Sequence, residues 1–460
     1  MGGYYFGNSR LFCKTINNFR VIALFLSNNN QSDKRMNSNK IHNGAVNAFV
    51  VFMIMLVLYF IIGLFTVINQ QFQIPLQTAM LPHDGTITNA LVTMLNFSWF
   101  LAYPFSEGFG TRWLEKYGYG KTSVYALLIL IAGLGIYELA VLFHIYTPVH
   151  IDIFGNSISL GFFIFLVGSF VIGIAATVLQ VVLNLYLAIC QVGTTTALQR
   201  QMIGGTSNSI GMAIAPLIIS YVIFRGTPLH DIRTEQFVGP LLILMLLIVV
   251  VALFTRKVKM PPIPITQANE HVVLEKSVWS FSQLKWGVWG IFFYVGIEVA
   301  VGANINMYAV NLGKQYAVNA THMAAVYWGL LLVGRLLGSF IKTISSQTQL
   351  VYASIGAMAL VVLAILFSNP WILTGVGLFH SIMWPAIFTL AIDQLGKYTT
   401  KASGILMTGV MGGGIIPFVQ GILADLFQGN WRWTWILVLI GELYILFYGL
   451  KGYKPKQATS

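Results

Sequence analysis

The sequence predicts an all-α membrane protein in which twelve transmembrane helices form two halves of six. Three observations support this: the composition, the recurrence of apolar runs and the placement of basic residues. Hydrophobic residues make up 57% of the 460 residues, charged residues make up 9%, and the mean hydropathy is +0.75. Soluble domains carry about 25% charged residues. Lipid must therefore solvate much of this chain.

Apolar runs recur along the chain, and each is long enough for a membrane-spanning helix of about 20 residues. A polar segment at 256–285 contains several lysines and a proline-rich stretch, Pro-Pro-Ile-Pro, at 261–264. It separates the first six apolar runs from the last six. The spans are predicted at roughly 46–73, 86–107, 121–144, 158–189, 203–224, 237–255, 286–311, 323–341, 349–367, 370–393, 402–427 and 432–450.

Basic residues predict the orientation of the spans. With the N-terminus inside, about 21 of the 26 lysines and arginines fall in cytoplasmic segments, as the positive-inside rule requires. Arg335 is an exception because it lies within a span. Both termini are therefore expected in the cytoplasm, and the net charge of +12 needs no nucleic acid to explain it. Four basic residues fall outside: Arg225, Arg233, Lys314 and Arg432.

The same reading divides the chain into five segments. Met36 stands just before the first span, so one hypothesis is that translation starts there. The segments are a disordered basic cytoplasmic segment (1–45), an N-terminal half (46–255), a cytoplasmic linker (256–285), a C-terminal half (286–450) and a cytoplasmic tail (451–460).

The most informative polar residue is Glu298, which lies inside the seventh span. A carboxylate at mid-membrane depth costs at least about 2.5–3.5 kcal/mol, so such residues normally face a cavity or a protein partner. Gly302 follows one turn later, and Asn304 and Asn306 add amides to the same span. These residues favour a functional site. The alternative is a protonated glutamate that only packs against a neighbouring helix.

The end of the first span is also unusually polar. Thr66, Gln70, Gln73 and Gln77 recur at helical spacing, and Pro75 removes a backbone hydrogen bond. Amides both donate to and accept from hydroxyl groups, which favours a sugar-type site. The alternative is that these residues lie at the outer membrane interface.

Three later spans carry further candidates. Gln180 and Asn184 are four residues apart and share one helix face, although hydrogen bonds between helices would explain them equally well. Asn208 lies in a fifth span rich in small residues. Trp384 precedes Pro385 and offers either an aromatic face for a sugar ring or only a kink.

The remaining polar features carry less weight. Glu138 and Glu442 are secondary candidates for protonation, and Glu107 and Asp425 are expected at interfaces. The glycine-rich run 409–417 lacks the Lys-Ser/Thr of a phosphate loop and indicates close helix packing.

Two six-helix halves joined by a basic loop are typical of the major facilitator fold, in which two repeats rock about a site at the membrane midplane. The segment Leu114–Lys121, with Glu115 and Gly118, resembles the loop motif of that superfamily after the second span. The match is partial because Thr111 stands where the motif has a glycine.

Within that superfamily, residues 46–450 resemble the fucose:proton symporter family. The segments that carry the resemblance are 178–186, 294–298 with Glu298 after Tyr-Val-Gly, 381–388 and 412–417. Glu298 in this context looks more like the glucose/galactose transporter branch than the fucose permease branch.

This resemblance implies a set of site residues. Gln71, Gln180, Asn184 and Asn208 would bind sugar hydroxyls from the N-terminal half, Asn304 and Trp384 would complete the site, and Glu298 would be the proton-coupling residue. Two departures matter: the fucose permease has carboxylates at the positions of Gln71 and Gln180. Proton coupling in the N-terminal half is therefore in doubt.

The predicted function is secondary-active transport of a hexose such as glucose, galactose, fucose or fructose by alternating access, with cation symport. A proton is the expected ion, and sodium or uniport are alternatives. We expect a monomer in the bacterial plasma (inner) membrane whose partners are the sugar and the lipid bilayer, with no nucleic acid, cofactor or metal site.

Three other functions fit the sequence less well. An exporter of amphipathic compounds would need a more apolar cavity than these amides provide. A sugar sensor on a transporter fold usually adds a signalling tail, and the predicted tail is short. An enzyme is disfavoured because the sequence offers no metal cluster, nucleophile–base set or phosphate loop.

Overall fold

The computed structural model describes residues 38–455, with gaps at 83–84, 191, 196, 229–230, 261–275 and 339–343. The predicted disordered segment up to residue 37, including the possible start at Met36, and the centre of the predicted linker lie outside the described residues.

The described residues of the first half form five long α-helices, one short α-helix and one short hairpin. A π-helical turn, Ile218–Ile223, extends α5, and a 3-10 turn, Thr234–Phe237, leads into α6. The elements are α1 (Ser38–Gln71), α2 (Gln73–Met80), α3 (Thr88–Tyr146), β1 (His150–Ile153), β2 (Asn156–Ser159), α4 (Leu160–Ile189), α5 (Ala197–Leu217) and α6 (Val238–Lys257).

The second half contains more and shorter helices. Short 3-10 turns at Val278–Ser280, Gly396–Tyr398, Gly409–Met411 and Trp431–Trp435 join them, and a π-helical turn, Tyr448–Gly452, ends the last. The helices are α7 (Ser282–Asn311), α8 (Lys314–Ala317), α9 (Ala320–Gly338), α10 (Ser346–Phe367), α11 (Pro370–Thr374), α12 (Val376–His380), α13 (Met383–Ile392), α14 (Thr399–Thr408), α15 (Gly412–Leu426) and α16 (Ile436–Phe447).

Twelve spans result, as predicted. Among the described residues, eleven helical segments are long and apolar enough to cross a bilayer, and one of them is the 59-residue α3. Gly118 interrupts α3 with φ 75° and ψ 173°, a conformation that glycine adopts without steric cost. α3 therefore supplies both the second and the third span, and the turn between them falls in the Leu114–Lys121 motif.

Two details were not predicted. α1 begins at Ser38 and so includes residues 38–45, which were assigned to the polar N-terminal segment. Extending an existing helix costs far less than starting one, so a helix can continue beyond the apolar run. The strands β1 and β2 pair antiparallel between the third and fourth spans, and Phe154 and Gly155 turn with positive φ between them.

Local sequence accounts for several helix starts. The Ser159 side chain accepts a hydrogen bond from the backbone N–H of Gly161 at the start of α4, and Ser345 does the same for Thr348 at the start of α10. Asn369 caps α11, whose first residue is Pro370, a favoured first helical position.

Glycines in the run 409–417 let helices approach closely, which confirms the packing interpretation. A Cβ at Gly412 would lie 1.9 Å from the carbonyl oxygen of Phe292 on α7, and a Cβ at Gly414 would lie 2.9 Å from the Cα of Phe97 on α3. α15 therefore packs against both halves of the molecule.

This packing makes a substitution at Gly412 costly. We expect Gly412→Ala to lower the melting temperature of the purified protein, with overpacking costing about 1–3 kcal/mol. Gly329→Ala is the matched control, because a Cβ at Gly329 meets nothing within 4 Å and alanine favours the helix. Equal melting shifts for the two variants, measured by thermal unfolding in detergent, would contradict the packing argument.

Candidate functional site

Glu298 lies at the centre of the polar groups within the spans. Glu298 is 8% exposed. Its Oε1 accepts a hydrogen bond of 2.6 Å from the hydroxyl of Tyr294, one turn earlier on α7. An Arg335 guanidinium nitrogen lies 3.7 Å from the same oxygen. The carboxylate is therefore compensated by a cation, which greatly reduces the cost of keeping it within the bilayer.

Arg335 also connects the two halves of the protein. Its Nη1 donates a 2.6 Å hydrogen bond to the Ser209 hydroxyl on α5, in the N-terminal half. In the sequence alone, Arg335 is only an exception to the charge count. A lone cation inside an apolar span normally has a carboxylate partner, so its presence could have pointed to Glu298.

A second chain of contacts leads from the Glu298 backbone into the C-terminal half. The Tyr327 hydroxyl lies 3.0 Å from the carbonyl oxygen of Glu298 and 2.8 Å from Nδ1 of His380. Nε2 of His380 lies 2.7 Å from Oε1 of Glu442, and both of these side chains are fully buried. Glu442 was a secondary candidate from sequence. His380 was missed, although a histidine in an apolar span was a usable signal.

Gln71 bridges the first and seventh spans. Its Oε1 accepts a hydrogen bond from the Asn306 amide, and its Nε2 donates to the carbonyl oxygen of Gly302 at 3.3 Å. The Asn304 amide donates to Gln420 at 2.9 Å, a residue that was not predicted. Gln71, Asn304 and Asn306 thus lie at a junction between the halves.

Several side-chain amide atoms of the first and seventh spans have no hydrogen-bond partner among the described residues. The Oδ1 atoms of Asn304 and Asn306 are buried and unpaired, as are both polar side-chain atoms of Gln70 and of Gln73. Gln70 and Gln73 are each about 1% exposed, so they are not at a solvated interface. Buried polar groups are nearly always satisfied, so these groups need an explanation.

The other N-terminal candidates form separate contacts. Tyr59 donates from its hydroxyl to the Asn184 side-chain oxygen, and its backbone oxygen accepts from the Asn208 amide at 3.0 Å. Gln180 hydrogen-bonds the Tyr103 hydroxyl. Among the described residues, no hydrogen bond joins Gln180, Asn184 or Asn208 directly to Glu298.

Trp384 lies beside the Glu298 group. Its ring centroid is 6.3 Å from that of Tyr294 and 6.4 Å from that of Phe388, with which it is stacked. The tenth span is broken between His380 and Met383, just before the tryptophan. Trp384 is therefore both next to a kink and close to the candidate site.

Asp425 forms a further contact between the halves. α3 has no side-chain cap of its own at Thr88. Instead, Asp425 of α15 accepts hydrogen bonds from the backbone N–H groups of Asn89 (3.0 Å) and Ala90 (2.7 Å). An anion at a helix N-terminus is stabilised by the unpaired N–H groups and the helix dipole. The halves are therefore closed at this end of the bundle.

Known proteins resemble this chain in sequence and in fold. The Major Facilitator Superfamily model matches residues 48–416. The chain belongs to this superfamily. A putative glucose/galactose transporter from Helicobacter pylori is 29% identical over 87% of this chain and 96% of its own length. The Brucella abortus glucose/galactose transporter is 28% identical over 94% and 100%.

More distant similarities agree with the fold of this major facilitator protein. The L-fucose-proton symporter of Escherichia coli is 25% identical over 57% of this chain and 66% of its own length. The outward-conformation structure of FucP has a TM-score of 0.61 at 20% identity, covering 88% of this chain and 99% of that chain. A D-xylose-proton symporter structure has a TM-score of 0.65 at 13% identity, with coverage of 88% and 99%.

The Glu298–Arg335 ion pair should behave as a unit in unfolding experiments. We expect Arg335→Met to destabilise this major facilitator protein by about 3–5 kcal/mol, because it leaves a buried carboxylate without a cation. Adding Glu298→Gln should recover most of that loss. Thermal unfolding of the wild type, both single variants and the double variant gives the coupling energy, and strictly additive effects would show that the pair does not interact.

Proposed function

We propose that the protein is a secondary-active sugar transporter that moves a hexose such as glucose, galactose, fucose or fructose together with a cation, preferentially a proton. The two full-length relatives named as glucose/galactose transporters and the relative named as an L-fucose-proton symporter support this class of substrate and ion. The major facilitator fold supplies the alternating-access mechanism.

The observation that carries the proposal is the set of unpaired buried amides where the two halves meet. A sugar hydroxyl is both donor and acceptor, so it can satisfy an amide N–H and an amide oxygen at the same time. Asn304 and Asn306 each leave a buried oxygen unpaired, and the hydrogen bond between Asn306 and Gln71 of the other half places them at the junction. Buried unpaired groups cost about 1–3 kcal/mol each, so a bound polyol stabilises them.

We assign the remaining sugar contacts to Gln180, Asn184, Asn208 and Trp384. Gln180, Asn184 and Asn208 bear amides on α4 and α5, and Trp384 offers a half-buried aromatic face beside Glu298. Asn184 and Asn208 both contact Tyr59 within the N-terminal half, so sugar hydroxyls would replace these contacts on binding.

Contacts between the two halves close one end of the protein and must break before sugar can enter from that end. The Asp425 cap on α3 and the 2.8 Å contact between Tyr221 and His322 lie at the end where the first span ends and the second begins. In the predicted orientation this is the extracellular end. Entry of sugar from outside therefore requires these contacts to break while the two halves, 46–255 and 286–450, move as units.

Glu298 is the coupling residue in this proposal. Protonation of its carboxyl removes the charge that holds Arg335, and Arg335 is also bonded to Ser209 in the other half. A proton on Glu298 therefore changes the strength of a link between the halves. Sugar binding and proton binding then act on the same junction, which is the requirement for symport.

The charge distribution supports both termini in the cytoplasm, and the bacterial relatives support a multi-pass protein of the bacterial plasma (inner) membrane. This orientation puts the Asp425 contact outside and the 256–285 linker inside.

Uptake of labelled hexoses into proteoliposomes tests the proposal, with and without an inward proton gradient. We expect concentrative uptake with the gradient, because the coupled proton supplies the driving force. Equilibrating uptake alone would indicate a facilitator, and concentration with a sodium gradient would replace the proton. Absence of uptake for every sugar would overturn the proposal in favour of export of amphipathic compounds or sugar sensing.

Removing the titratable group at position 298 should separate coupling from binding. We expect Glu298→Gln to abolish accumulation above equilibrium and to retain sugar exchange, because the amide still accepts the Tyr294 hydrogen bond but cannot lose a proton. Glu235→Gln, which changes an exposed carboxyl, is the control and should accumulate normally. Unchanged accumulation in Glu298→Gln would remove Glu298 from the coupling role.

A further inference from the structure

His380 and Glu442 form a buried titratable pair that the proposed function does not use. His380 ends α12 and Glu442 lies in α16, and the Tyr327 hydroxyl connects His380 to the backbone of Glu298. Both side chains have no exposed surface. A charged group in this position is expensive unless a partner compensates it, so the number of protons on the pair matters energetically.

The direction in which the Tyr327 hydroxyl donates depends on the number of protons on the pair. It carries one hydrogen and lies within hydrogen-bond distance of two atoms, the Glu298 carbonyl oxygen and Nδ1 of His380. A carbonyl oxygen only accepts. When the hydroxyl donates to that oxygen, Nδ1 must carry a hydrogen and donate to the Tyr327 oxygen.

In this first arrangement the pair is neutral overall. Nδ1 of His380 is protonated, and one further proton lies in the 2.7 Å contact between Nε2 and the Glu442 carboxyl. We assign that proton to the Glu442 carboxyl, which leaves both groups neutral. Oε2 of Glu442 is buried without a partner among the described residues, which an uncompensated carboxylate would not tolerate cheaply.

In a second arrangement the pair has lost one proton. The Tyr327 hydroxyl turns to donate to Nδ1, and Nε2–H donates to a Glu442 carboxylate. The Glu298 carbonyl oxygen then loses its side-chain donor, and the pair carries one negative charge. The two arrangements differ by one proton in total: Nδ1 loses its hydrogen, the Tyr327 hydroxyl rotates, and the proton in the Nε2–carboxyl contact ends on Nε2.

We propose that the His380–Glu442 pair is a second proton-binding site of the transporter, and that Tyr327 transmits its protonation state to α7 at Glu298. This inference rests on the proposed symport function. It adds two proton-binding residues, His380 and Glu442, and one positioning residue, Tyr327, to the coupling machinery.

The groups around the pair favour a single exchangeable proton. From α7 the titratable neighbours are Tyr294 and Glu298, and from α9 they are Tyr327 and Arg335. Glu298 and Arg335 compensate each other, so neither supplies a free charge to the pair. On α10 the titratable side chain is Tyr352, which is 65% exposed and faces away from the interior.

The contact with α7 gives the pair a route to the substrate junction. The Glu298 carbonyl is one helical turn before Gly302, whose own carbonyl accepts from Gln71 of the other half. Trp328, the residue after Tyr327, packs so closely on Gly302 that a Cβ there would lie 2.2 Å from its ring. A change at Tyr327 therefore acts on the part of α7 that bridges the halves.

Infrared difference spectroscopy of the purified wild type tests the site without any sugar. We expect a pH titration to show a carboxyl C=O band that disappears in Glu442→Gln and moves in Glu442→Asp. His380→Gln should shift the pH at which the band appears. A spectrum in which Glu442→Gln leaves every titrating carboxyl band unchanged would overturn the proposal.

Transport assays separate coupling from a structural role. We expect Glu442→Gln and Tyr327→Phe still to equilibrate sugar across the membrane but to lose accumulation above equilibrium. Glu442→Asp should restore accumulation with a displaced pH profile. Normal accumulation in Glu442→Gln would overturn the coupling role. Absence of sugar transport in the wild type would refute the proposed function and leave the infrared result to decide the proton site.

Discussion

The Glu298–Arg335 ion pair is the interaction on which the polar organisation of this membrane protein depends. Neither charge could remain inside the bilayer alone, because each would cost several kcal/mol. Together they fix α7 against α9, and the Ser209 contact of Arg335 extends the pair to α5. One pair of charges thus joins three spans from both halves. A change in the protonation of Glu298 therefore alters a contact between the halves.

The contacts that close the protein are of two physical kinds. At the end marked by Asp425, an anion satisfies backbone N–H groups at the start of α3. At the centre, the Asn306 amide donates one hydrogen bond to Gln71, a contact that a hydroxyl group can replace. Polar contacts of this kind suit a protein whose halves must separate repeatedly, because water or substrate takes over each lost partner.

The sequence was sufficient for the twelve spans, because length and hydropathy determine them, and for the turn at Gly118. It also identified Glu298, Asn304 and Gln71 from the rarity of polar groups in lipid-facing helices. It missed Arg335, His380 and Tyr327 as a group, since their partners lie 37 to 62 residues away along the chain and only tertiary packing brings them together. Asn184 and Asn208 share a helix bundle with the others but meet at Tyr59, which no spacing rule indicates.

Two titratable sites in one half also agree with the resemblance noted from the sequence, in which Gln71 and Gln180 stand where the fucose permease has carboxylates. With amides at those positions, we place proton coupling in the C-terminal half. In the proposed mechanism, Glu298 and the His380–Glu442 pair both take part. Protonation of Glu298 weakens its link to Arg335. Protonation of the pair acts through the Tyr327 hydroxyl on the Glu298 backbone and leaves the charges of the ion pair unchanged.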